Sequence, residues 1–209
     1  MEWFSTLSLA LGSAWTSGIN LYATVTVLGL LQKFALTKPL PGGLEVLDNW
    51  WIIGVAGFLY AVEFFADKIP YVDSVWDVVH TFIRVPAGAI VAYAATSEMD
   101  ASVYTIAALL GGGFAFSSHG TKAALRAGAN LSPEPVSNWV LSIVEDIIAF
   151  VGAILAVFAP IIIAIVLGIF AIFFIWFAPK VFRAVRRIFS AIKAFFAGES
   201  FKEVAKKAG

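Results

Sequence analysis

The sequence predicts an all-α fold: a polytopic transmembrane helix bundle of about six spans with a C-terminal amphipathic interfacial helix. Three observations predict it. Apolar residues form 60% of the 209-residue chain and charged residues 13%, with a mean hydropathy of +0.89; soluble domains carry about 25% charge. Apolar runs long enough for a ~30 Å hydrocarbon core recur between turns rich in Pro and Gly. The polar residues inside those runs fall at helical spacing, as they do when helices turn one face toward a common interior.

Span one is about Phe4–Leu31 and carries Ser13, Thr16, Ser17, Asn20 and Thr24 as a polar stripe. Small polar residues of this kind serve helix packing in membranes, and lining of a pore or ligand site is the alternative. A loop with Pro39, Pro41, Gly42 and Gly43 follows. Trp50 and Trp51 open span two as interfacial aromatics, and it runs to about Ala66 with Tyr60, Glu63 and Asp67 on one face. Pro70 breaks the chain before span three, where Asp73 suits the free N–H groups of a helix start.

Span three ends near Ala95 and an acidic turn occupies Ser97–Ala101. Span four, about Val103–Leu125, ends with His119, Lys122 and Arg126 on one face, extended by Asn130. After a turn with Ser132, Pro133 and Pro135, span five starts near Val136 and bears Asn138, Ser142, Glu145 and Asp146. Thirteen apolar residues follow Asp146, so both acids lie deep. Ala159–Pro160 separates span six, Ile161–Phe177, which has no polar face and is placed against lipid.

The chain therefore divides into a transmembrane domain, 1–179, and a basic amphipathic tail, 180–209. Eight of the fourteen Lys and Arg lie after Pro179, although the formal net charge is zero. In the tail, Val181, Phe182, Val185, Ile188, Phe189, Ile192, Phe195 and Phe196 line one face, and Lys180, Arg183, Arg186, Arg187 and Lys193 the other. That pattern suits anionic lipid headgroups; a nucleic-acid arm does not belong beside a membrane domain. The positive-inside rule then sets the tail in the cytoplasm. With six spans the N-terminus, the Asp67–Asp73 turn and the Leu125–Pro135 turn join it. Lys68, Lys122 and Arg126 agree with this orientation, and Lys33 and Lys38 dissent. The expected location is a bacterial inner membrane with both termini cytoplasmic. The N-terminus MEWFSTLSL has no basic segment and does not read as a cleaved leader.

The most informative stretch is Ala66–Arg84. Asp73, Asp77, His80 and Arg84 share one helical face. About eleven apolar residues follow Arg84, roughly 16 Å of helix, or about half a hydrocarbon core. A charge at that depth needs a partner or a wet cavity. Glu145 and Asp146 lie at similar depth, and Asp146 is the preferred partner, with His80 facing the same cavity.

An internal repeat supports that pairing. Shifted by 63 positions, spans two and three fall on spans four and five: Gly57, Ala61, Ala66, Pro70, Ser74 and Trp76 meet Gly120, Ala124, Ala129, Pro133, Ser137 and Trp139. The two hairpins would be parallel, with Glu63 opposite Arg126. Gly88-x-x-x-Ala92 and Gly152-x-x-x-Ala156 would let spans three and five pack closely.

The candidate pathway is thus lined by Glu63, Asp67, Asp77, His80, Arg84, His119, Lys122, Arg126, Glu145 and Asp146. Three readings follow: transport or conduction of a small solute or ion through a polar cavity; lipid-phosphate binding by Arg84, Lys122 and Arg126; or a scaffold or assembly factor held by structural ion pairs. Transport is preferred. An enzyme acting on lipids would use His80 or His119 as base and a metal at Asp73, Asp77 and His80, but no phosphatase, transferase or intramembrane-protease motif is present. The chain is read as non-enzymatic and without a cofactor. It has no cysteine, which excludes disulfides, thiolate metal sites and cysteine nucleophiles. Its partners are membrane lipids, and a homo-oligomer is compatible with the sequence.

ADKIPYVDSVWDVVHTFIRVPAGA and HGTKAALRAGANLSPEPVSNWVLSIVED resemble a bacterial integral-membrane family, domain of unknown function 4126. The resemblance covers about Leu7–Pro160. It implies membrane location and a shared polar core, and it implies no activity, substrate or cofactor.

Overall fold

In a computed structural model, which describes residues 2–69, 71–130 and 136–196, the chain is helical and no strand occurs among the described residues. Six α-helices follow the expected spans: α1 (Glu2–Lys33), α2 (Trp50–Ala66), α3 (Val72–Thr96), α4 (Ala101–Ala129), α5 (Val136–Phe158) and α6 (Pro160–Phe196), with a 3-10 helix at Gly42–Asp48. Five of them, α1 and α3 to α6, are long and apolar enough to cross a membrane. The 3-10 helix and α2, bent by 76° at their junction, make a sixth candidate when counted as one span.

The boundaries have local causes. Asn49 caps α2, its Oδ1 accepting the Trp51 N–H at 2.8 Å. Pro160 opens α6, where its missing N–H costs nothing, so the expected break at Ala159–Pro160 is present. Pro179 lies inside α6, and the boundary expected there falls within one helix. Gly42 has φ +59°, and a Cβ there would meet Ala94 O at 2.3 Å; only glycine fits both the turn and the approach. The expected break at Pro70, the Leu131–Pro135 turn, and the tail side chains of Ile188, Phe189 and residues 191–196 lie outside the described residues. Two compact units divide the chain after Gly168, and the first holds α1 to α5 and the start of α6.

Within that first unit, α1 is broken. Asn20 has extended angles, φ −147° and ψ 99°, between two helical halves. Trp3 and Leu7 line one hollow with Glu98, Met99, Asp100 and Val103. At the other end of α1, Gln32 Nε2 donates to Glu45 O at 2.8 Å, and Gly43 N–H donates to Ser97 Oγ at 3.2 Å. Both ends of α1 therefore meet the α3–α4 turn end of the bundle, and Asn20 reaches toward the opposite end. The expected six alternating spans put the N-terminus beside the Asp67–Asp73 turn. In the structure α1 instead doubles back at this single extended residue, Asn20.

The small-residue seams also differ from expectation. A Cβ on Gly88 would meet Ala115 Cβ at 2.3 Å, and one on Gly111 would meet Ala92 Cβ at 2.4 Å. A Cβ on Gly152 would meet Thr16 Cγ2 at 2.6 Å, and one on Gly12 would lie 3.1 Å from Ala156 Cβ. Gly88 and Ala92 thus seat α3 on α4, while Gly152 and Ala156 seat α5 on α1. Spans three and five do not use these faces on each other; each uses its own against a different antiparallel neighbour.

Candidate functional site

The site forms where α2, α3, α4 and α5 turn their polar stripes inward. The last turn of α2 brings Glu63, and Asp67 follows directly. Asp77 and Arg84 come from α3 at seven-residue spacing, His119, Lys122 and Arg126 from α4, and Glu145 from α5. Glu63, Arg84 and Arg126 are 0% exposed and Lys122 is 3% exposed.

Contacts run in a continuous chain. Arg84 Nη2 donates to Glu63 Oε1 at 2.5 Å, and Arg84 Nη1 lies 3.5 Å from Asp77 Oδ1. Lys122 Nζ donates to Glu63 Oε1 at 3.1 Å and to Asp67 Oδ2 at 3.0 Å. Arg126 Nη2 donates to Asp67 Oδ2 at 2.8 Å and also to Glu145 Oε2, whose carboxylate it grips through Nε at 3.0 Å as well. This fork is the bidentate geometry a guanidinium favours. Contacts of 3.1, 3.0 and 2.8 Å therefore join Glu63 to Arg126 through Lys122 and Asp67, as the expected opposition of the two residues requires.

His119 closes the network on the α3 side. Its Nδ1 lies 3.1 Å from Arg84 Nη1, and its Nε2 lies 3.0 Å from Asp77 O and 2.8 Å from Thr81 Oγ1. A guanidinium only donates, so Nδ1 accepts and the ring proton belongs on Nε2.

Two of the ten expected residues stand apart. His80 pairs with Tyr22 Oη at 3.0 Å and Trp76 O at 2.7 Å, and stacks on the Trp76 ring at 4.3 Å. Both of its ring nitrogens are engaged, and among the described residues no three His, Asp or Glu side chains converge as for a metal ion. Asp146 accepts from Asn20 Nδ2 at 3.1 Å. The expected Arg84–Asp146 bond is absent: Arg84 takes Glu63, Asp77 and His119 instead. The reason is the fold of α1, which packs on α5 and meets Asp146 with Asn20, while α2 delivers Glu63 to Arg84.

Sequence reasoning gave Asn20 a site role only as the alternative reading of the span-one stripe, and named Tyr22, Asn130 and Lys68 among no pathway residues. Asn130 Nδ2 donates to both oxygens of Asp73 at 3.1 Å, and Arg126 Nη1 lies 3.8 Å from Asp73 Oδ2. Asp73 is thus joined to the network as well as accepting the Ser74 N–H at 2.6 Å in the first turn of α3. Lys68 sits beyond the end of α2 and donates to Phe64 O at 2.9 Å. Burial pushes its ammonium below the ordinary value, against the pull of Asp146 and Asp67. The signals in the sequence for these were the position of Asn130 on the α4 face and of Asn20 in the polar stripe of span one.

Among the described residues, five carboxylates, Glu63, Asp67, Asp73, Asp77 and Glu145, lie within 4.0 Å of three bases, Arg84, Lys122 and Arg126. The network holds two more acids than bases. Glu63 Oε2, Asp67 Oδ1 and both Asp77 oxygens receive no hydrogen bond, nor does Asp146 Oδ2 beside it.

The family model described as Domain of unknown function (DUF4126) matches residues 7–180. No curated protein and no solved structure matches the chain.

Proposed function

We propose that this protein, which belongs to the family described as Domain of unknown function (DUF4126), is a membrane transporter whose network takes up a proton or a small monovalent cation. One observation carries the reading: five carboxylates share three bases in a space closed to water. Burying an uncompensated charge costs several kcal/mol per ion, roughly, even after relaxation. The surplus is relieved when protons or cations enter from solution, and ionisable chains of this kind are the usual form of an intramembrane ion or proton path. The four oxygens of Glu63, Asp67 and Asp77 that receive no hydrogen bond are where such an ion finds acceptors.

Lipid-phosphate binding has less support, because each of Arg84, Lys122 and Arg126 already lies against carboxylates. A purely structural network is the second reading, favoured by the complete burial of Arg84 and Arg126. The duplication of the α2–α3 hairpin belongs to the same proposal, since the equivalent positions Glu63 and Arg126 both end in the network. So does location in a bacterial inner membrane. Lys180, Arg183 and Arg187 line one hollow on α6, a cluster suited to anionic headgroups on the cytoplasmic side.

The test uses the purified protein in liposomes holding a pH-sensitive dye, under imposed proton, sodium or potassium gradients. Gradient-driven flux above protein-free vesicles is expected. Asp77→Asn, which removes one surplus charge, should abolish that flux while the melting temperature holds or rises. Wild-type vesicles with no flux under any of the three gradients would end the transport reading, and a lowered melting temperature in Asp77→Asn without flux would establish the structural one.

A further inference from the structure

We infer that α1 is a re-entrant helix, entering the membrane and returning to the face it came from, and that its apex at Asn20 is the gate closing the charge network against that face. The gate rests on the transport reading; the re-entrant path does not.

The path follows from what each part of α1 touches. Leu7 lines one hollow with Glu98, Met99 and Asp100 of the turn between α3 and α4. Two residues before the apex, a Cβ on Gly18 would meet Ala115 O at 2.3 Å. Tyr22, just past the apex, reaches His80 near the middle of α3. The second half then runs back beside α2: Lys33 lies over the Trp50 ring, 5.6 Å from its centroid. Bonds between the following 3-10 helix and Ser97 return the chain to the level at which it began. Apolar composition makes α1 a candidate span, but a helix whose two ends share one face does not cross.

Non-helical backbone at membrane depth is tolerated only when protein buries it. Asn20 meets that condition, being 1% exposed. Its Oδ1 accepts the Ala23 N–H at 2.9 Å, capping the second half. Its Nδ2 holds Asp146. The carbonyl before it, Ile19 O, accepts Lys122 Nζ at 3.3 Å. Half-helix ends that meet ionisable groups inside a bundle are the form in which transporters build ion sites. Here one asparagine caps a half-helix, seats a carboxylate whose other oxygen is unpartnered, and adjoins the carbonyl that engages the central lysine. An ion leaving the network toward the α3–α4 turn meets this junction. Its opening requires the Asn20–Asp146 bond to part.

With α1 re-entrant, the crossing segments are α2 with its preceding 3-10 helix, α3, α4, α5 and α6. Glu2, Glu45, Glu98 and Asp100, all exposed, then share one face, away from Lys68; Lys33, at the end of α1, lies toward that face too and is a cation that the positive-inside rule disfavours on a non-cytoplasmic side.

The absence of cysteine lets single cysteines be read without background. Glu2→Cys, Glu98→Cys and Tyr71→Cys are probed in sealed vesicles of one orientation with a membrane-impermeant maleimide. Glu2→Cys and Glu98→Cys should label from one face and Tyr71→Cys from the other. Labelling of Glu2→Cys together with Tyr71→Cys would overturn the re-entrant path. For the gate, Asn20→Ser keeps a capping oxygen but no longer reaches Asp146. It should raise basal flux about tenfold, the order of a hydrogen bond to a charged group. Asn20→Asp keeps the cap and repels Asp146, and it should do the same if the serine variant folds poorly. Unchanged flux in a folded variant would remove the gate. A wild type without flux would instead remove the transport reading, and the labelling would still decide the path of α1.

Discussion

Arg84 is completely buried and its guanidinium does not discharge, so the fold must bring it a carboxylate. Glu63 is that carboxylate, 2.5 Å away, and the pair is supported by Asp77 and His119. Removing one partner of a buried pair typically costs ~3–5 kcal/mol. Arg84→Ala should therefore lower the melting temperature in detergent strongly, and adding Glu63→Gln should recover part of the loss. Arg84 and Asp146 share no bond, so their alanine variants should add to within ~0.5 kcal/mol. A non-additive Arg84–Asp146 cycle would show that the two residues pair after all. His80 and His119 divide in the same way by contact: one binds Tyr22 and Trp76 outside the network, the other Arg84 inside it.

Helices α3 and α4 approach closely because Gly88 and Gly111 face Ala115 and Ala92. That approach brings Arg84 to His119 and Asp77 to Lys122, so the seam controls the network's geometry. Overpacking a filled site costs ~1–3 kcal/mol, and more where backbone must move. Gly88→Val and Gly111→Val should reduce the monodisperse folded fraction on size-exclusion chromatography. Gly54→Ala is the control, since nothing lies within 4 Å of its added Cβ, and it should behave as wild type. Equal behaviour of all three would mean that the seam does not set the spacing of α3 and α4.

At the scale of the whole molecule, charge is spread unevenly along the chain, eight of the fourteen Lys and Arg lying after Pro179. Within the first unit, the turn after α2 carries Lys68, and Lys122 and Arg126 lie toward the same end, whereas the exposed acids Glu98 and Asp100 lie at the α3–α4 turn, with Lys33 toward that end as well. The basic stretch after Pro179 is expected on the cytoplasmic side by the positive-inside rule. A C-terminal reporter that works only in the cytoplasm should therefore be active, while Glu2→Cys labels from outside. A silent C-terminal reporter would reverse the orientation of the whole chain without altering the path of α1.

The sequence by itself determined the helical elements, the break at Ala159–Pro160 and most of the network's membership, because each depends on local quantities. Hydropathy fixes which segments are apolar, proline fixes where helices start, and helical spacing fixes which side chains share a face. Eight of the ten residues expected in the pathway do converge. Partner choice was not legible. Glu63, Glu145 and Asp146 are equally plausible for Arg84 by depth, and only the packing of α2 beside α3 and of α1 against α5 separates them. Nor was the path of α1 legible. Asn20 sits in a run whose composition and length read as one uninterrupted span, and one residue in an extended conformation reverses its direction. The extended backbone at Asn20 is held by bonds to Asp146 and Ala23. Asp146 lies 126 residues away, and that separation is why the tertiary structure alone decided the fold of α1.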